Sequence, residues 1–270
     1  MKQPSFASLA YDGKKKQTRK ELFLAEMDRI IPWRKLTRLI EPHYPKTGNR
    51  RPPMGPEKML RIHFMQQWFK LLDPAMEDAL YDTEPPRRFA GIELGQDPVP
   101  DESTILKFRH LLEKHDLAAK LFEATCGYLE ENGLLLREGT IVDATLIDAP
   151  SIHDSVVMED LLHGGEESVY GDKAYADETR KRDFEERGIK WCVSRKAGRG
   201  HRLSEKDEGH NRRMSKTRAK GEHPFHVVKC LWGHRKARYR GITKNASQLF
   251  TLFSLANLYL VRKQLLHQPA

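Results

Sequence analysis

The stretch IVDATLIDAPSIHDSVVMEDLL, residues 141–162, holds two elements with almost nothing between them. TIVDATLI (140–147) is β-branched and apolar, the composition of a strand buried on both faces, with one acid, Asp143, in its middle. HDSVVMEDLL reads as a helix over about 153–163. A carboxylate inside a buried strand costs several kcal/mol unless it bonds to backbone amides, pairs with an arginine or binds a cation. Asp143 is therefore either a structural acid or a ligand.

Downstream the alternation continues. SVYGDKAYA (168–176) reads as a second strand ending at Gly171-Asp172, and DETRKRDFEERG (177–188) as a charged helix stopped by Gly188. IKWCVSRK (189–196) reads as a third strand. Strands alternating with helices predict an α/β domain with a parallel or mixed sheet. Carboxylates on neighbouring strands, such as Asp143 and Asp172, suit a shared divalent cation, and Mg²⁺ is typically held by one or two carboxylates plus phosphate oxygens.

Upstream the pattern is helical. RKELFLAEMDRIIPW (19–33) and GPEKMLRIHFMQQWFKLLD (55–73) place apolar residues at helical spacing, with Pro56 near a first-turn position. Asp73-Pro74 breaks the second, and AMEDALYD (75–82) forms a short helix. Residues 101–133 give two more, with Asp101 as N-cap and Gly133 as stop. These helices either include a helix-turn-helix-like DNA reader or are ordinary packing.

The net charge is +9, and it is concentrated: residues 195–240 hold 15 Lys/Arg against 4 Asp/Glu, interleaved with Trp232 and Tyr239. That is the footprint of a polyanion binder, and Arg outnumbers Lys, as suits the fork geometry of phosphate contacts. No apolar run approaches the roughly 18 residues needed to span a membrane, and the first twenty residues lack the apolar segment of a secretory signal. The three scattered cysteines, Cys126, Cys192 and Cys230, suggest reduced thiols in a cytosolic protein.

Within the basic block, RAKGEHPFHVVK (218–229) spaces Arg218, Glu222 and Lys229 so that a continuous helix would present all three on one face. Pro224 makes a kink or a helix start there, and a helical stretch is expected near 222–232. The trio reads either as a surface ion-pair ladder or as a metal-binding acid flanked by phosphate-binding cations. His226, Cys230 and His234 extend too far along one helix to close readily around a zinc ion. NASQLFTLFSLANLYLVRKQLL (245–266) is a strongly apolar helix, expected to pack within the chain.

GTIVDATLIDAPS, HDSVVMEDLLHG, VYGDKAYA, PDESTILKFRHLLEKHDL and above all RAKGEHPFHVVKCLWGHRKARYRGITKNASQLFTLFSLANLYL resemble bacterial insertion-sequence transposases of the group numbered five, over about residues 5–265. The resemblance implies an RNase H-like catalytic domain over 137–270, preceded by an all-α DNA-binding domain over 1–136. By that resemblance Asp143, Asp172 and Glu222 are the Asp-Asp-Glu set that holds Mg²⁺, with Mn²⁺ as substitute. The family motif Tyr-x2-Arg-x3-Glu-x6-Lys is met at Arg218, Glu222 and Lys229, with Ser215 in the Tyr position. Arg218 and Lys229 would contact DNA near the cut end, joined by Arg199, Arg202, Arg235 and Arg238 of the basic block. The implied activity is phosphodiester hydrolysis at terminal inverted repeats and strand transfer to target DNA. The implied setting is the bacterial cytoplasm, nucleoid-associated, with a homodimer on DNA.

One departure stands out. Asp143 precedes Asp172 by only 29 positions, where the resemblance implies a longer interval with two further strands of an antiparallel meander. Those strands are expected to be missing between about Ser151 and His153. The alternative implied function is then an internally deleted copy that binds DNA without cutting it.

Overall fold

The computed structural model describes residues 13, 15–46, 52–134, 140–141, 167–198 and 202–268. They divide into two compact units, one formed by residues 1–135 together with 224–270, the other by 136–223.

The first unit is helical. Its helices are α1 (Arg19–Ile30), α2 (Trp33–Ile40), α3 (Pro56–Phe69), α4 (Asp73–Asp82), α5 (Glu84–Ala90), α6 (Glu102–Lys114) and α7 (Leu117–Glu131). Local chemistry sets the ends. Thr18 and Glu21 form a reciprocal capping box on α1, and the Asp101 carboxylate accepts from the Thr104 amide at 2.7 Å to start α6. Pro56 opens α3 in the first turn, where a missing N–H costs nothing. Gly133 takes a φ of +66° just past α7, a left-handed geometry that only glycine adopts freely. Helix α5 was not foreseen. Both prolines of Glu84-Pro85-Pro86 occupy first-turn positions, and Glu84 accepts from Arg87 and Arg88 one turn on.

The core of this unit runs through Met27, Leu36, Leu60, Phe64, Leu80 and Leu121 and is continuous with Leu252, Leu255 and Leu258 of the closing helix. That helix, α10 (Ile242–His267), packs against α7 and α1. The expected packing within the chain is thus found, with helices rather than the sheet as the partner. Thr125 and Ser254 share a buried hydroxyl–hydroxyl hydrogen bond of 2.7 Å across the α7–α10 contact.

The second unit contains β1 (Thr140–Ile141), β2 (Ser168–Gly171), α8 (Glu178–Glu186), β3 (Lys190–Val193) and α9 (Glu205–His226), of which the last three residues belong to the helical unit. The strands lie in the order β1-β2-β3, and both pairings are parallel. A parallel pair needs a crossover, and α8 supplies it between β2 and β3. Phe184 of α8 is fully buried against Val169, Tyr175, Ile189 and Val193. The predicted strand ending at Gly171-Asp172 is present as Ser168–Gly171, the one expected over 189–196 as Lys190–Val193, and the helix between them is found. Of the strand expected over 140–147, Thr140 and Ile141 are described, and the helix expected over about 153–163 lies outside the described residues.

The largest correction concerns the basic block. A helix was expected near 222–232, yet α9 begins at Glu205, runs 22 residues, and passes through Pro224 into a π-helical segment, Val227–Leu231. Proline cannot donate to the carbonyl four residues earlier, and a widened turn is a known way to accommodate a disturbed ladder. No residue of α9 is buried, so no apolar stripe announces its first four turns.

Candidate active site

Asp172 stands one residue past the C-terminal end of the central strand β2. In parallel sheets the crevice beyond the strand ends is where ligands bind. The Asp172 backbone is extended, and its Oδ1 accepts from the Ala174 amide at 2.6 Å, capping the 3₁₀ turn Lys173–Tyr175. Among the described residues its other oxygen has no hydrogen-bond partner. Gly171, just before it, is tightly enclosed. A Cβ there would lie 3.3 Å from Tyr175 Cβ and 3.3 Å from Val193 Cγ2. The glycine thus lets β2, the Tyr175 turn and β3 close together, and so fixes where Asp172 leaves the sheet.

Arg218 and Glu222 lie one turn apart on α9, Nη2 to Oε1 3.9 Å. Their environments differ. The Arg218 side chain is 15% exposed and its Nε is buried without a partner, whereas the Glu222 side chain is 58% exposed. A 3.9 Å contact with so exposed an acid is a weak pair, so the carboxylate is held on the helix but not consumed there. Lys229 belongs to the π-helical segment, where the α spacing that would align it with Arg218 and Glu222 no longer holds. Its ammonium lies 5.7 Å from the Phe225 ring centroid.

The other basic candidates fall into different settings. Arg202 and Arg235 are exposed. Arg238 is half-buried and donates to the Leu71 carbonyl at 2.8 Å, inside the helical unit. Asp143 and Arg199 lie outside the described residues. His234 donates from Nε2 to the Gln67 carbonyl at 2.8 Å. Among the described residues no three His, Cys, Asp or Glu side chains cluster closely enough to hold a metal.

Sequence reasoning missed the clasp on the loop after β3. Arg195 pairs with Asp207, while Asn211 accepts from the Arg195 amide at 2.8 Å and donates to its carbonyl at 3.1 Å. Hydrogen bonds from Ser204 and then from Arg195 hold the Asp207 carboxyl below its ordinary value. The clasp fastens the β3 exit to the first turns of α9. Polar residues sixteen apart in an uninterrupted charged tract leave no periodicity that could reveal it.

Residues 12–111 match a family described as Transposase domain (DUF772), and residues 113–258 match one described as Transposase DDE domain. The second match spans more than half of the chain. The chain belongs to the DDE transposase family. A transposase of this family is a polynucleotidyl transferase of mobile elements, its partner is DNA, and such enzymes generally use divalent metal ions. No solved structure matches the chain. No helix among the described residues is long and apolar enough to cross a membrane.

Proposed function

We propose that this transposase cuts and joins DNA at the terminal inverted repeats of an insertion sequence of the group numbered five, with Asp143, Asp172 and Glu222 as its catalytic carboxylates. One observation carries the reading. In the parallel pairing of β1 with β2, Thr140 stands opposite Val169 and Ile141 opposite Tyr170. The register offset is 29, the same as the separation of Asp143 from Asp172. If that register held for two residues more, the two acids would be partners at the end of the sheet, which is what the proposed metal pair requires.

The donor set suits a hard divalent cation such as Mg²⁺, with Mn²⁺ as substitute, because every proposed ligand atom is a carboxylate oxygen. Among the described residues one oxygen of Asp172 takes no hydrogen bond and is free for this purpose, and Glu222 is accessible. When bound, such an ion supplies charge neutralisation at the phosphodiester and an acidified water. The protein's own part is positional. Gly171 and the Tyr175 turn set the Asp172 carboxylate, α9 carries Glu222, and Arg218, with its unpartnered buried Nε, supplies a fixed positive charge for a phosphate. Arg199, Arg202, Arg235 and Lys229 add contacts to the DNA backbone. Arg238 contributes through the nitrogens not used on Leu71. The RNase H-like core, the division into a DNA-binding region over 1–136 and a catalytic region over 137–270, and pairing of two copies on DNA belong to the same proposal.

A second reading keeps binding and loses cutting. It is favoured by the short interval between Asp143 and Asp172, which matches a deletion after Ser151, and by β1 lying at the sheet edge among the described residues. The test is cleavage of DNA carrying the cognate inverted repeat in Mg²⁺ or Mn²⁺. Cleavage abolished by Asp172→Ala and by Asp143→Ala supports the first reading. Binding without cleavage in either metal leaves the second.

A further inference from the structure

The helical unit has a cleft of about 320 Å³ that the proposed catalysis does not use. Tyr44 and Pro45 form one wall, Pro52 to Met54 another, and Pro98 to Pro100 with the outer face of α6 close it. The walls are mostly apolar and stiff, since five prolines line it and the Tyr44 and Phe108 rings meet edge-on at 6.3 Å. Asp101 at its edge is already committed to capping α6. Cations follow from the cleft along α6 and into α7. Lys107, which also lines the cleft, and Lys114 are seven positions apart on α6, and Lys120 is in the first turns of α7. The His43 and His115 rings stack at 4.3 Å, 25° from parallel, and His115 feels the charges of Lys114 and Lys120. Among the described residues none of the three lysines has a carboxylate within ion-pair distance. Partial desolvation, and then the charges of His43, Lys114 and Lys120, hold the His115 imidazole below its ordinary value.

An apolar, aromatic-walled cleft beside unpaired cations fits a ligand that is flat and apolar at one end and anionic at the other. An unpaired nucleotide in a DNA strand has that form, since any base offers a face for aromatic and apolar contacts and its phosphates track cations. We propose that this surface holds single-stranded DNA, one base in the cleft and the flanking phosphates along Lys107, Lys114, Lys120 and the histidine pair. The proposal rests on DNA being the partner of this transposase, and it adds a strand-binding site in the helical unit that uses none of the three proposed catalytic acids.

The test uses the full chain and a fluorescein-labelled oligodeoxythymidine, with binding read by anisotropy over a salt series. Thr104→Trp fills the cleft, and Lys107→Ala/Lys114→Ala/Lys120→Ala removes the line of charge; circular dichroism and melting check that both variants fold. Thr104→Trp is expected to weaken binding at least ~10-fold. Single-stranded DNA releases about 0.7 counterion per neutralised phosphate, so the triple variant should flatten the log–log salt slope by about 2. Folded variants that bind like the parent overturn the proposal. So does weakening by the lysine changes alone, which leaves an unspecific cationic surface. Failure of the strand-transfer reading would appear in the cleavage assay, to which this binding measurement is blind.

Discussion

Arg109 of α6 donates to the hydroxyl of Tyr239, 130 positions further along the chain. The same guanidinium donates to Asp73 at 2.9 Å and lies 4.7 Å from the Tyr239 ring centroid. A residue at the end of the basic block is thereby fastened to the N-terminal helices, with Asn245 bonding both the amide and the carbonyl of Tyr239. Arg109 and Asp73 are each less than one-fifth exposed, so removing one partner strands the other in a poorly solvated place. Arg109→Met should cost about 2–3 kcal/mol and Tyr239→Phe about 1 kcal/mol, read as a lower urea midpoint at constant slope.

Burial pushes the His63 imidazole down to about 4, with Arg109 and Arg238 working the same way and Asp73 against them. The folded value lies below the unfolded one of about 6.5, so between the two the unfolded chain binds more protons. Stability from this residue is complete above about pH 6.5 and is lost as pH falls toward 4, by up to ~3 kcal/mol. His63→Met removes the titration without emptying the site. Its melting temperature should fall less than the parent's between neutral pH and about pH 4.5, and equal falls would refute the account.

At the sheet end, Gly171→Val should be as damaging to cleavage as loss of the acid itself. The added methyls collide with Tyr175 and Val193, moving Asp172 with them. Asp172→Asn keeps the bond from the Ala174 amide and removes only the charge, so it should lose metal-dependent cleavage by at least ~100-fold while melting within a degree or so of the parent. An Asp172→Asn enzyme that cuts normally would remove Asp172 from the site.

The Thr125–Ser254 pair offers a fourth measurement. Thr125 also donates to the Leu121 carbonyl at 2.8 Å, and both hydroxyls are buried. Ser254→Ala should cost about 1–2 kcal/mol by leaving Thr125 short of a partner. Thr125→Val/Ser254→Ala together should cost less than the sum of the singles, and strict additivity in a double-mutant cycle would show that the hydroxyls do not interact.

The legible parts of this fold were those where burial writes a period into the sequence. Met59, Ile62 and Met65 mark α3, and Val169 beside Tyr170 and Gly171 marks β2. The capping acid Asp101 and the stops Gly133 and Gly188 were legible because their local chemistry admits few substitutes. The first turns of α9 were not, since its residues bury nothing and a solvated basic tract reads alike as helix or loop. The partner of α10 was hidden for another reason: apolar spacing tells which side of a helix is dry, never what dries it. Of the candidate site, Asp172 was placed by its strand and glycine. The break in spacing before Lys229 follows from a proline whose effect on the helix, kink, start or widened turn, the sequence leaves open.

The helical unit is assembled from the two extremes of the chain, with residues 224–268 closing a core that residues 19–131 begin. During synthesis the apolar surface of α1 and α7 that α10 covers is therefore open while the whole sheet unit is made. Maturation of the first-made part waits on the last-made part. Premature stops anywhere before α10 should yield chains that fail at the N-terminal helices first, leaving no stable fragment to compete for DNA.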